Sequence, residues 1–395
     1  MIEERLSSLR LLLVIQLAQT FRGGIISPIL SLFIRGQGVS IAEIGLLGTT
    51  GMLGWLIFEP ISGFVADKVQ KRYMIVFAVI TSSLIYVSYP SVNKVWHFAL
   101  LAFLLSSVMA PYAIAVKTLT AELLPEIEKA KTYGRYLSVI SLGGILGPIL
   151  GGYLSVVSYN LPFYLTAVVG AVSLAGILLM RYDDKIENIS RIRETVGEGG
   201  EKLMTKPFLI ILLIRMLYFF NRAFRENFLP VFLKETPTIG ASETEIGIYM
   251  GALRVTAALS QSILGDLTDR LGSKTLMALS LSSAGLSYLS LTSLRGVVPL
   301  YLLGAAQGVT LASADLSMMV HLMEIMPEGR TGVVMGLYSE SENIGGMISS
   351  PFLGLIYDHM GSIYSVFFES GVLFFNAALS MILVKSKKQK VKRRG

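Results

Sequence analysis

The sequence predicts an all-α membrane protein: twelve transmembrane helices in two six-helix bundles with pseudo-twofold symmetry. Three observations carry this reading. Of 395 residues, 53% are apolar and 15% charged, too few charges to coat a soluble protein of this size. Twelve apolar stretches have the ~20 residues that a helix needs to cross a bilayer. Residues of the first half also recur in the second at a constant offset.

The spans are expected at 9–33, 42–64, 73–90, 95–119, 134–157 and 161–181, then at 207–233, 243–265, 275–293, 298–322, 333–357 and 362–384. They divide the chain into a first bundle (1–181), a charged linker (182–206), a second bundle (207–384) and a basic tail (385–395). Without cysteine, no disulfide, thiolate nucleophile or Cys-metal cluster can form. No small-residue cleavage site precedes the first stretch, which reads as an uncleaved span.

The net charge of +7 would suit a nucleic-acid partner, but its distribution does not. Of 34 Lys and Arg, 24 fall in segments that share a side with the termini: Arg5 and Arg10, the run Lys68 to Arg72, Lys129 to Arg135, Arg181 to Lys206, Arg270 and Lys274, Arg330, and the tail from Lys385. Opposite loops hold Arg35, Lys94, Lys234 and Arg295. Cytoplasmic loops carry the excess of cations, so both termini are placed in the cytoplasm of a cell-membrane protein, with the tail facing lipid headgroups.

An offset of 202 pairs Pro28 with Pro230, Ser40 with Ser242, Glu43 with Glu245, Gly45 with Gly247, Gly63 with Gly265, Asp67 with Asp269, Glu122 with Glu324, Pro125 with Pro327 and Gly134 with Gly336. One shift sustained over five helices marks duplication of a six-helix unit. The two halves then share a central interface and rock against one another.

Between spans 2 and 3 stands Gly63-Phe-Val-Ala-Asp67-Lys68-Val-Gln-Lys71-Arg72, and between spans 8 and 9 Gly265-Asp-Leu-Thr-Asp269-Arg270-Leu-Gly272-Ser-Lys274. A glycine at a helix end admits a close neighbour, an aspartate can face a positive helix N-terminus, and the cations that follow can pair with acids across the halves. Both copies resemble the cytoplasmic signature of the major facilitator superfamily, and the resemblance covers essentially the whole chain. It implies a latch that holds the halves together on the cytoplasmic side, through Gly63, Asp67, Arg72, Gly265, Asp269 and Arg270. Gln70 stands where that signature has glycine.

Span 5 carries Gly134, Gly143, Gly147, Pro148, Gly151 and Gly152. The pattern is similar to the glycine–proline motif of the drug–proton antiporters in that superfamily, and it gives a bent, smooth-faced helix able to seal the pathway. That role is expected of Gly147, Pro148, Gly151 and Gly152; ordinary close packing is the alternative. Span 4 (Ser106 to Tyr112) lacks the arginine that the branch normally has there.

Six cations lie within spans: Arg22, Lys117, Arg215, Arg222, Arg225 and Arg254. Six acids accompany them: Glu59, Glu226, Asp315, Glu340, Glu342 and Glu369. A charge facing lipid at mid-bilayer costs roughly 2.5–3.5 kcal/mol, so six would cost about 18, beyond a typical stability of ~5–15 kcal/mol. They must pair or line a wet cavity. Arg22 and Arg225 lie at nearly equal depth in spans 1 and 7, which face each other in the superfamily. Either they clamp a carboxylate or phosphate, as in the similar arginine pair of the organophosphate–phosphate exchangers, or Arg22 pairs with Glu59 or Glu226. Arg222 and Glu226 are one turn apart and can pair within span 7. Arg254 is expected to meet span 7 or span 11. Tyr112 and Tyr218 line the pathway or pack in the core. Glu59, Asp315, Glu340, Glu342 and Glu226 are the candidate proton carriers.

Histidines 97, 321 and 359 lack metal-ligand spacing, and no phosphate-binding glycine loop occurs, so neither metal, cofactor nor ATP is expected. No cluster of acid, base and nucleophile suggests an enzyme. The resemblance implies a monomeric secondary active carrier that exports a small organic or amphipathic solute in exchange for protons. The alternative is a carrier of an organic or phosphorylated anion held by Arg22 and Arg225.

Overall fold

The computed structural model describes residues 2–66, 68–124, 129–180, 204–326 and 331–384. These form α1 (Ile2–Ile26), α2 (Leu30–Gly36), α3 (Ile41–Ala66), α4 (Lys71–Ser88), α5 (Val95–Leu123), α6 (Lys129–Val157) and α7 (Leu161–Leu179). The second half comprises α8 (Lys206–Ala223), α9 (Leu229–Glu235), α10 (Glu243–Leu271), α11 (Ser273–Ser290), α12 (Val297–Ile325), α13 (Thr331–Met360) and α14 (Ser362–Leu383). Asp67, the linker up to 203 and the tail from 385 lie outside the described residues.

Among the described residues, nine segments are long and apolar enough to cross a membrane, α1 with α2 and α8 with α9 each counting as one. α10, α11 and α13 fall short, the first and last because they carry inward charges such as Arg254, Glu340 and Glu342, and α11 because it is rich in serine. The outer surface is apolar, with Phe64, Val168, Leu259, Leu302 and Ile382 exposed. In water such a surface would aggregate; against acyl chains it needs no cover.

Local geometry repeats at the offset of 202. Ser40 and Glu43 form a capping box before α3, and Ser242 and Glu245 form the same box before α10. One tight turn follows α4 at Tyr89–Ser91 and another follows α11 at Leu291–Ser293. Glu122 reaches Lys71 at the start of α4, and Glu324 reaches Ser273 at the start of α11. The two prolines act differently. Around Pro28 the helix breaks into α1 and α2. Ahead of Pro230 it relaxes into a π-turn, Phe224–Phe228, in which the Leu229 amide donates to the Phe224 carbonyl five residues back.

The halves meet closely at one end. Gly143, Gly147 and Gly151 form a row on α6 that lies against α1: a Cβ at Gly147 would be 2.6 Å from the Phe21 carbonyl oxygen, and one at Gly151 would run into that of Ile25. Pro148 and Gly152, on the adjacent face, lie against Gly247 and Glu243 of α10 in the other half. Gly45 of α3 lies equally close to Ser350 of α13. Small residues permit such backbone-to-backbone approach.

Polar groups then bolt that end. Asp358 accepts from the amides of Ile41 (3.3 Å) and Ala42 (2.7 Å), capping α3 from the other half. Arg35 pairs with Glu235 at 2.9 Å. Lys234 and Tyr159 both donate to Glu243. The remaining glycines differ: Gly63, Gly265 and Gly336, at the opposite end, face open space. There Arg72 donates to the Leu178 carbonyl (3.0 Å) within its own half. The cross-half pairing expected of the latch is therefore not made by Arg72 in this conformation.

Forcing a Cβ into a close backbone contact costs about 1–3 kcal/mol. Gly45→Ala and Gly247→Ala are therefore expected to lower disulfide cross-linking of an Arg35→Cys/Glu235→Cys pair several-fold, in a chain that otherwise has no cysteine. Gly63→Ala and Gly265→Ala, facing open space, are expected to leave it unchanged. Equal cross-linking in all four variants contradicts this account of the closed end.

Candidate functional site

α8 and the π-turn that continues it are amphipathic in a particular way. Arg215, Tyr218, Phe219 and Arg222 on α8, then Arg225 and Glu226 on the π-turn, recur at three- and four-residue spacing and border one space. That space is a cavity of about 440 Å³, closed on its other sides chiefly by α10, α12 and α13 and reached by Ser27 from the first half. Two smaller compartments adjoin it. One, of about 190 Å³, includes Trp55, Glu59, Lys117 and Asn343. The other, of about 240 Å³, is mostly apolar, walled by Leu30, Trp55, Tyr89 and Phe98. Arg222 borders all three.

The charges are organised as a chain. Asp315 pairs with Arg215, Arg215 with Glu342 at 3.1 Å, Glu342 with Arg222, and Arg222 with Glu226 at 3.1 Å. Three carboxylates thus share two guanidinium groups, each of which can bridge two acids because its donors form a fork. Aromatic rings grip the first arginine: Arg215 lies 4.4 Å from the Phe219 centroid and 4.3 Å from that of Tyr338. The second arginine is partly exposed, at 35%.

Two further arginines flank Glu226. Arg254 donates to the Gly144 carbonyl (2.9 Å) and to Ser27 Oγ (3.3 Å). It therefore joins α10 to α6 and α1 of the other half, rather than meeting span 7 or span 11 through a hydrogen bond. Gly144 makes this possible, since a Cβ there would sit 3.2 Å from the Arg254 guanidinium. Arg225 borders the cavity without a hydrogen bond or ion pair among the described residues.

The structure does not bring Arg22 and Arg225 together. Arg22 is 1% exposed and points into the first bundle, donating to Gln19 (2.8 Å), Ser82 (3.3 Å) and Ser83 (3.0 Å) and lying over the Tyr86 ring. It pairs with neither Glu59 nor Glu226. The reason is register. The duplicated helices align at an offset of 202, which matches Arg22 to Phe224, and Phe224 packs on Tyr288 much as Arg22 lies over Tyr86. Arg225 stands one residue further, which turns it about 100° around the helix, toward the cavity.

The other expected residues divide similarly. Tyr218 borders the cavity and donates to the Leu311 carbonyl at 3.0 Å. Tyr112 lies in the core of the first bundle, donating to Gln16 at 2.6 Å, away from the three compartments. Glu59 borders the small compartment with Lys117. Glu340 accepts from Asn343 at 3.3 Å and lies close enough to Glu59 for the two carboxylates to repel. Sequence reasoning missed Trp55 and Asn227 as wall residues, since neither stands in a motif or carries charge. It also missed the part played by Gly144 and Ser27 in holding Arg254. Among the described residues, no group of three His, Cys, Asp or Glu could hold a metal ion.

Comparison with known proteins bears on this arrangement. The family model of the Major Facilitator Superfamily matches residues 12–220 and again 211–395. The quinolone resistance protein NorA of Staphylococcus aureus (strain Mu50 / ATCC 700699) is 23% identical over 231 residues, covering 58% of this chain; the chain spans 59% of that relative's length. NorA of strain MRSA252 aligns more fully, at 22% identity over 347 residues, 85% of this chain and 86% of the relative. Among solved structures, a point mutant of the nucleoside transporter NupG superposes with a TM-score of 0.81 at 15% identity, over 96% of this chain and 100% of that one. The superposition shows a shared fold. With both halves of the chain matched by one family model, the chain belongs to the Major Facilitator Superfamily.

Proposed function

We propose that this protein is a secondary active transporter that exports a small organic or amphipathic solute in exchange for protons, by alternating access. The observation that carries the reading is the ion-pair chain along a cavity that borders both halves and is sealed at one end only. The cavity offers charge and the compartment beside it an apolar wall at Trp55, Tyr89 and Phe98, a combination that suits an amphipathic organic molecule. The similarity to NorA, which is named for quinolone resistance, supports export.

In this reading twelve spans form two bundles related by a pseudo-twofold axis, and the monomer is sufficient. Both termini are cytoplasmic, as the distribution of Lys and Arg suggests. The open end, where Gly63 and Gly265 stand, then faces the cytoplasm. In the opposite conformation the motifs containing Gly63, Asp67, Arg72, Gly265, Asp269 and Arg270 close that end, while the bolts at Glu243 and Asp358 release.

Proton coupling follows from shared partners. A carboxylate that takes up a proton loses most of its hold on an arginine. Protonation of Glu342 leaves Arg222 held by Glu226 alone, freer to turn toward Glu59 of the other half across the compartment that both border. Glu226 and Asp315 exchange protons at the two ends of the same chain, and Glu340 beside Glu59. The release of one arginine by one acid thereby connects the protonation state to contacts between the halves.

A second reading rests on Arg225, which faces the cavity with no bonded partner among the described residues. An organic or phosphorylated anion can occupy it, with Arg254 nearby, although Arg22 takes no part.

Purified protein in liposomes with an imposed pH gradient is expected to drive solute against its concentration. Glu342→Gln and Asp315→Asn are each expected to cut that accumulation about tenfold or more while downhill exchange continues. Accumulation equal to that of the parent protein in both variants rules out proton exchange through this chain. Under the second reading, Arg225→Ala weakens competition by carboxylates or phosphate about tenfold or more, from the ~1.5–3 kcal/mol of a charge-assisted hydrogen bond. Unchanged competition excludes it.

Stability measurements test the wiring. A double-mutant cycle between Arg215 and Glu342 is expected to show an interaction of about 1 kcal/mol or more, whereas Arg22 and Glu226, which do not meet, add within about 0.5 kcal/mol.

A further inference from the structure

One acid of the membrane region takes no part in the chain. Glu369, on α14, is 0% exposed, and both of its carboxyl oxygens lack a hydrogen-bond partner. α14 packs against α11, α8 and α13 and touches the turn Leu291–Ser293. The polar groups that face Glu369 come from three places: Tyr288 on α11, Asn221 on α8, and Arg225 on the π-turn. α13 directs its own carboxylates elsewhere, Glu340 to Asn343, Glu342 to the arginines and Asp358 to the cap of α3. The turn Leu291–Ser293 contains no titratable group. Asn221 is equally enclosed: its Nδ2 has no partner, and its Oδ1 accepts from Tyr288 at 3.4 Å.

An ionised carboxylate in such a place, with no paired cation and no donor nearer than the Asn221 amide, is far more costly to bury than the neutral acid. The neutral acid keeps a carbonyl oxygen that can accept from that amide. A counter-ion is at hand. Arg225 faces the cavity, lies near enough to Glu369 to act on it electrostatically, and belongs to the π-turn, where the extra residue gives the backbone slack.

We propose that Glu369 is a proton-binding site behind span 7, neutral in this conformation and ionised when Arg225 turns from the cavity to pair with it. Arg225 then has two competing anions, the Glu369 carboxylate and any anionic group in the cavity. Filling the cavity site keeps the proton on Glu369; emptying it lets Arg225 take the carboxylate and the proton leave. This consequence for coupling rests on the transport reading above, but the site itself is tested without transport.

The measurement is infrared spectroscopy of the full chain in lipid nanodiscs, following the C=O stretch of protonated carboxyl groups as pH rises. A band lost in Glu369→Gln and retained in Glu226→Gln is expected. In Arg225→Met the band should persist to higher pH than in the parent protein, because the cation that favours the carboxylate is gone. Thermal stability of Glu369→Gln, a neutral isostere, should equal that of the parent. An unchanged band in Glu369→Gln overturns the proposal, as does an unshifted titration in Arg225→Met. A Glu369→Gln chain that is destabilised or fails to fold also overturns it, since that marks a carboxylate already ionised and paired. If these expectations hold and no pH gradient drives solute, the site stands and the transport reading falls.

Discussion

The ion-pair chain from Asp315 to Glu226 is the constraint from which the second bundle follows. Arginines cannot shed their charge, so Arg215 and Arg222 must be kept from lipid by whatever packs around them. Their spacing gives α8 a single charged face, and α12 and α13 each bring an acid to it. Stacking of Arg215 between Phe219 and Tyr338 fixes one end of the chain, while Arg222, paired with Glu342 and Glu226, is the member that borders all three compartments. In the proposed transport cycle the first is the anchor and the second the link that moves. An all-apolar wall would be more stable and could not respond to protons.

Closure uses different physics. Along α6, glycines on one face seat α1 of the same half, and Pro148 and Gly152 on the next face seat α10 of the other. One helix thus belongs to its own bundle and to the interface at once. Contacts of this kind gain dispersion and backbone proximity without strong bonds, and lipid tails compete for the same surfaces. The interface can therefore part at modest cost. The bolts at Asp358, Arg35 and Glu243 lie where water can reach them, and partly solvated pairs of this kind contribute little each. A seal built from weak contacts and wet bolts is of the kind that the proposed alternating access requires.

Much of this was legible in the sequence. Apolar length marked the helices, and the offset of 202 singled out the residues that form the paired capping boxes and the close contacts of Gly45 and Gly247, though not the contacts themselves or the turns after α4 and α11. The adjacency of Arg222 and Glu226 was read from a four-residue spacing. What failed depended on rotation. Depth along a helix can be counted from sequence, but Arg22 and Arg225 at equal depth face different ways, because one residue of register turns a side chain by about 100°. Arg254 escaped assignment because its partners, Gly144 and Ser27, offer a backbone carbonyl and a hydroxyl, which no charge pattern reveals. Tyr112 was open between pathway and core, and its hydroxyl finds Gln16 within the first bundle.

The same offset exposes an asymmetry between the bundles. Gln19 and Tyr86 correspond to Asn221 and Tyr288, and each pair surrounds a buried group without an ion-pair partner among the described residues: Arg22 in the first half, Glu369 in the second. Equivalent pockets thus hold opposite kinds of charge. The guanidinium is permanent and is held by Gln19, Ser82 and Ser83, so it gives the first bundle one fixed electrostatic state. A carboxyl group has two states, and the ion-pair chain lies in the same half. At these two matched positions, then, the first half holds a charge that protons cannot alter and the second a group that they can. Under the proposed transport mechanism the first pocket is the fixed partner and the second the one whose charge changes.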